Sequence, residues 1–166
     1  RERPNVVLAP NLPNPGIVVD LGWLSGSIPP DQINQMQERS TDNPDAQERF
    51  GIQARNLARL HNEGIPIALG TDGGAGWSPH AEMEDMVRAG MPPADVLVAA
   101  TRNSAALLEL SDLGTLEAGK SADFIVLDAN PLDDITNTRR IAEVYLRGTA
   151  VERDALSASW TGSAPQ

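Results

Sequence analysis

The stretch Ile65–His80, reading IPIALGTDGGAGWSPH, most constrains what this chain can fold into. A short apolar run, Ile65 to Leu69, stops at Gly70, and Thr71, Asp72 and a glycine-rich loop follow at once. A short apolar run bounded by glycine is the pattern of a strand buried on both faces. A carboxylate at the carboxyl end of such a strand, beside a loop too small to cover it, lies where α/β proteins place chemistry. The same residues also suit a plain strand-to-helix turn in which Asp72 satisfies local backbone. Taken alone, the stretch leaves both readings open.

The flanking sequence supplies the neighbours of this strand. Val6 to Ala9 is a second candidate buried strand, closed by Pro10. Prolines 10, 13 and 15 then make an extended loop, and Ile17–Leu24 reads as further loop. Pro29-Pro30-Asp31 starts a helix through Arg39. Asn43 as N-cap with Pro44 at the first helical position starts the next, and Gly64 ends it. Phe50, Ala54, Leu57 and Ala58 recur at helical spacing and give that helix one apolar face. Strand, helix and strand in this order predict a βαβ unit with a right-handed parallel crossover.

After Asp72, Ser78-Pro79 opens a helix from His80 to Arg88, ended by Gly90. Met91-Pro92-Pro93 opens another over Ala94–Thr101, with a short helix expected over Asn103–Leu110. Glu82, Glu84 and Asp85 read as a solvated acidic face. Beyond Leu110 the pattern turns to short β runs at Phe124–Leu127, Ala142–Leu146 and Thr149–Val151. The expected division is 1–110 for the helix-rich α/β part and 111–156 for a small β part. Residues 157–166 are expected to form a flexible tail.

Composition narrows the function classes. Net charge is −10, from 13 basic and 23 acidic residues, which argues against nucleic acid as a partner. No apolar run nears the roughly 20 residues of a membrane helix. With no cysteine, disulfides, thiolate metal sites and a cysteine nucleophile are excluded. The chain opens on Arg1 and enters an apolar run almost at once. It reads as part of something longer, either a processed product or one half of a polypeptide.

GIPIALGTDGG, then PHAEMEDMVRAGMPPADVLVAATRNSAALLEL, then DLGTLEAGKSADFIVLDANPLDDI resemble the C-terminal half of the metal-dependent amidohydrolase superfamily. The nearer likeness is to its imidazolonepropionase-like and Xaa-Pro or Xaa-Arg dipeptidase-like branch. The resemblance runs from about Val6 to Val151, and Gly114 to Asp134 carries it most specifically. It implies an α/β fold: the last part of a (β/α)8 barrel, plus strands of a small β-sandwich. Val6–Ala9 would be barrel strand 7 and Ile65–Leu69 strand 8. Phe124–Val151 would supply the sandwich strands.

The resemblance also implies chemistry. Asp72, directly after the eighth strand, would bind a divalent metal, zinc by family habit. It would also act as general base for a water attacking a C–N bond of an amide, a peptide-like group or a cyclic amide. Gly73, Gly74 and Gly76 would give the backbone room there. His80, Trp77 and Asn11 are candidate substrate contacts, Asn11 lying where the family often has PTL and this chain has PNL. The departure is large: the family's HxH pair and its further His and Lys or Glu ligands have no counterpart. Only His61 and His80 are present, and His61 suits a helix C-terminus. The expected partners are therefore the N-terminal half of the barrel, as a second chain or as missing sequence, and a small-molecule substrate. A homo-oligomer is compatible with this reading. The alternative is a non-catalytic fragment or scaffold that keeps the fold without a complete site.

Overall fold

A computed structural model of the chain describes residues 6–25 and 27–156, so the tail expected over 157–166 lies outside the described residues. Four helical stretches form where capping and proline predict them. Helix α1 spans Pro30–Arg39 and α2 spans Pro44–Asn62. The Asn43 side chain accepts the Ala46 N–H at 3.0 Å, satisfying one orphan donor of the first turn of α2. Gly64, at φ +76°, reverses the chain after that helix. Helix α3 is Ser78–Arg88, and Gly90 (φ +102°) follows it. Helix α4 (Pro93–Val98), a π-helical turn (Ala99–Asn103) and α5 (Ser104–Leu107) run on without a break. The two helices expected there are one helix with a widened turn.

The two apolar runs expected as parallel strands meet through one parallel bridge, Leu8 to Ile67. Leu8 N–H donates to the Pro66 carbonyl at 2.9 Å, and Ala68 N–H donates to Leu8 O at 2.8 Å. Extending a parallel ladder from this bridge requires N–H groups at residues 10 and 66. Both are prolines and have none. Pro10, which closes the first run, and Pro66, which lies within the second, thus stop the ladder at a single rung.

On its other side the run Ile65–Leu69 is held by the π turn. Asn103 Nδ2 donates to Ile67 O at 2.7 Å, and Leu69 N–H reaches both Ala99 O and Ser104 Oγ at 3.1 Å. Beneath lies the core, formed by Leu57, Ile67, Met83, Met86, Met91, Val96, Ala99 and Ile135, with Leu8, Leu12 and Leu69 packed against it.

The C-terminal part carries a three-stranded antiparallel sheet in the order β1 (Phe124–Leu127), β2 (Ile141–Leu146), β3 (Thr149–Ala150). Phe124 pairs with Tyr145 across β1 and β2, and their rings stack at 4.6 Å. A 3₁₀ helix, Ile135–Arg139, interrupts the connection between these strands. Asp134 caps it by accepting the Thr136 N–H at 2.9 Å. This helix was not expected from the sequence. Its Ile135 enters the core and its Thr138 and Arg139 reach α3.

Candidate active site

Asp72 lies exposed in the loop between the Ile65–Leu69 run and α3. The loop's start and its end both rest on the segment that follows the first apolar run. At the start, a Cβ added to Gly70 would meet Asn11 Oδ1 at 2.9 Å and the Pro10 carbonyl at 3.1 Å. The absence of a side chain at Gly70 lets the two segments approach this closely. At the end, Glu82 of α3 accepts the Leu12 N–H, its two oxygens at 3.1 and 3.3 Å. Asn11 is thus brought beside the root of the Asp72 loop.

His80 and Trp77 gather elsewhere, around Trp23. The Trp23 ring meets Trp77 edge-on at 6.5 Å and His80 edge-on at 6.0 Å. Arg139 lies over the Trp23 ring at 4.1 Å and pairs with Glu84. A cavity of about 320 Å³ opens beside this cluster, lined by Trp23, Met36, Trp77, Ala81 and Arg139 among others. A second, of about 830 Å³, runs along α2 and is lined by Leu8, Asn11, Leu57, Leu60 and Ile65 among others. Asn11 and Trp77 therefore open onto different cavities.

The tautomer of His80 follows from its partner. Thr138 Oγ1 donates its single proton to the Ile135 carbonyl at 2.9 Å, because a carbonyl can only accept. At 3.0 Å from His80 Nδ1 it must then act as acceptor. Nδ1 carries the hydrogen, and Nε2 of the neutral ring is left with its lone pair. Burial lowers the His80 pKa, and the positive charge of Arg139 lowers it further. Both effects favour the neutral ring, in which Nε2 is an acceptor.

The acidic run on α3 is not the solvated face expected of it. Glu82 is 8% exposed, Glu84 pairs with Arg139 and Asp85 with Arg88. Burial pushes Glu82 up to about 7 and Asp85 up to about 6, and it raises Glu84 against the pull of Arg139. The run turns inward because the 3₁₀ helix and the Pro10–Asn14 segment pack on α3. Both contacts come from residues far away in the chain, so helical periodicity carries no sign of them.

Among the described residues, no group of three or more His, Cys, Asp or Glu side chains is placed to hold a metal ion. His61 is engaged with Asp95 at 3.1 Å and His80 with Thr138. Asp72 is the one exposed acid of the glycine loop. A divalent metal is therefore not accommodated by this chain's described residues alone.

The sequence matches the model of the amidohydrolase family over residues 10–151, and the chain belongs to that family. It is 36% identical over 107 residues to an imidazolonepropionase of Deinococcus radiodurans, covering 60% of this chain and 27% of that enzyme. Among solved structures it is similar to an Xaa-Pro dipeptidase with bound methionine in the active site (TM-score 0.56, 30% identity). It is also similar to phenylurea hydrolase B (TM-score 0.60, 32% identity). Each of these two likenesses covers 73% of this chain and 29% of the solved chain. These likenesses give the chain a fold of TIM-barrel type, of which it spans under a third of the relatives' length.

Proposed function

We propose that this chain is the C-terminal part of a metal-dependent hydrolase that cleaves a C–N bond, with Asp72 as its contribution to the catalytic centre. The observation that carries the reading is the placement of Asp72. It is an exposed carboxylate in a glycine loop, directly after a core segment, in a chain of the amidohydrolase family. Val6–Ala9 and Ile65–Leu69 correspond in this reading to the last two barrel strands, and β1 to β3 to strands of a small sandwich domain.

Asp72 serves there as a metal ligand, zinc being the natural candidate, and as the base that takes a proton from the attacking water and returns it to the leaving amine. The other ligands come from polypeptide outside this chain, either a second chain or preceding sequence. Two features support an incomplete surface. Apolar side chains such as Leu116, Leu132 and Leu146 stand more than half exposed, and the larger cavity is lined by α2 and by residues of both apolar runs. The substrate is a small molecule. Trp77, with Trp23, walls the smaller recess as the candidate substrate contact, His80 stands against the Trp23 ring beside it, and Asn11 stands apart, at the loop root on the larger cavity.

The test is to isolate the chain from its native source with whatever polypeptide accompanies it. Metal content and hydrolysis of amide, dipeptide and cyclic-amide substrates are then measured. The expected result is bound divalent metal and an activity that Asp72→Asn lowers by about 10³-fold or more, as loss of a catalytic base and ligand implies. A folded, metal-free and inactive protein, with no accompanying polypeptide, would instead support the scaffold reading.

A further inference from the structure

We infer that Glu82 is a positioning residue, whose carboxylate holds the Leu12 N–H and so fixes the segment on which both ends of the Asp72 loop rest. The inference depends on the reading of Asp72 given above, and it concerns a residue that never touches the reacting atoms.

A buried carboxylate is costly unless it is hydrogen-bonded. Among the described residues, only Glu82 and Thr138 are buried polar or charged side chains. The neighbours of Glu82 on the inner face of α3 are Met83 and Met86, and both belong to the core. Methionine or leucine at position 82 would satisfy packing at less cost. What the carboxylate adds is an acceptor for a backbone group 70 residues away.

The Pro10–Pro15 segment needs such an acceptor. Prolines at 10, 13 and 15 have no N–H, and the ladder with the neighbouring run stops at Leu8. Backbone pairing therefore cannot fasten this segment past Leu8, and a side chain does so instead. Once Leu12 is held by α3, Pro10 and Asn11 are pressed onto Gly70, two residues before Asp72. The loop from Gly70 to α3 is thereby closed into a ring: Gly70 against residues 10 and 11, α3 against residue 12. Asp72 lies within this ring, and its position is set at both ends without a direct bond to Glu82.

The experiment compares Glu82→Gln, Glu82→Asp and Glu82→Met in the protein as isolated with its accompanying polypeptide. It reads hydrogen exchange in the peptide covering residues 9–14, metal content, kcat and KM. Because residues 10 and 13 are prolines, few amides besides that of Leu12 report in this peptide. Glu82→Met is expected to speed its exchange by about tenfold or more while α2 keeps its protection. That size corresponds to losing one intramolecular hydrogen bond. In the same variant kcat falls by tenfold or more, with KM nearly unchanged. Glu82→Gln keeps an acceptor and restores most of both. Glu82→Asp, one methylene short, gives the intermediate case if the methionine variant does not fold.

Unchanged exchange in the 9–14 peptide of Glu82→Met or Glu82→Asp would overturn the proposal. So would a loss of protection spread evenly over the whole chain, or wild-type kcat with Leu12 released. Full activity in Asp72→Asn would overturn the reading of the site itself, and the exchange result would still decide whether the clamp exists.

Discussion

The side-chain amide of Asn103 donates to the Ile67 carbonyl across 2.7 Å and so ties the π turn to the core segment that leads into Asp72. With Ala99 and Ser104, which both receive the Leu69 N–H, it takes the place of a neighbouring strand. π turns often sit at functional sites, and this one supports the root of the Asp72 loop. Asn103→Leu keeps the size of the side chain but leaves the Ile67 carbonyl without this donor. A loss of about 1–3 kcal/mol is expected for a buried group deprived of its partner. Urea unfolding measures it, and an unchanged midpoint would show that the bond contributes nothing.

Gly114 opens the segment that links helices to sheet, and its φ of +84° belongs to glycine. A Cβ there would stand 2.6 Å from Ala105 Cβ and 3.0 Å from the Thr101 carbonyl. Gly119 has a similar φ, +90°, with nothing within 4 Å of an added Cβ. Gly119→Ala should therefore lose about 1–2 kcal/mol from conformation alone. Gly114→Ala should lose several kcal/mol, because backbone and helix must also move. Equal thermal midpoints for the two variants would contradict the packing described at Gly114.

The buried acids predict how stability depends on pH. In the folded chain Glu82 holds its proton up to about pH 7 and Asp85 up to about pH 6, both above their unfolded values. Between about pH 4 and 7 the folded state thus binds more protons at these sites, and their contribution to stability falls as pH rises. His80, lowered by burial, acts in the opposite sense near its own titration. The clean observable is therefore the difference between wild type and Glu82→Gln. The wild type should lose stability relative to the variant on going from pH 5 to pH 8. A difference independent of pH would show that Glu82 titrates normally.

His80 provides a spectroscopic check on the Trp23 cluster. Long-range proton–nitrogen NMR should find a neutral ring at pH 7, protonated on Nδ1. Arg139→Met removes the positive charge that helps to hold the ring neutral, so the His80 midpoint should rise. Thr138→Val removes the acceptor and should release the tautomer to a mixture. A ring protonated on Nε2 in the wild type would reverse the hydrogen-bond assignment at Thr138.

Much of this could be read from residues near each other in the chain. Asn43-Pro44 at a helix start and Gly64 and Gly90 at helix ends act over a few residues, and those boundaries follow from them. The runs at Phe124, Ala142 and Thr149 give β1 to β3 for the same reason. The GTD loop and the GTLEAGKSAD stretch mark the amidohydrolase family, which the family match confirms. The 3₁₀ helix at Ile135–Arg139 was not legible, since Asp134 caps it by a short local contact within a segment that reads as turn. The inward turn of Glu82, Glu84 and Asp85 was not legible either. The partners of Glu82 and Glu84, Leu12 and Arg139, lie far off in sequence, and an acidic run on a helix otherwise favours solvent.

By itself, the sequence determined which segments are α-helix, where proline and glycine bound them, and that an acid follows an apolar run at Asp72. Those features depend on local backbone sterics and on hydrogen bonds within a turn or two. Tertiary structure decided the rest. It brought Asn11 onto Gly70, buried Glu82 against Leu12, fixed the His80 tautomer through Thr138 and stacked Arg139 on Trp23. Each of these depends on burial and on partners dozens of residues apart, which only a folded chain brings within hydrogen-bonding distance.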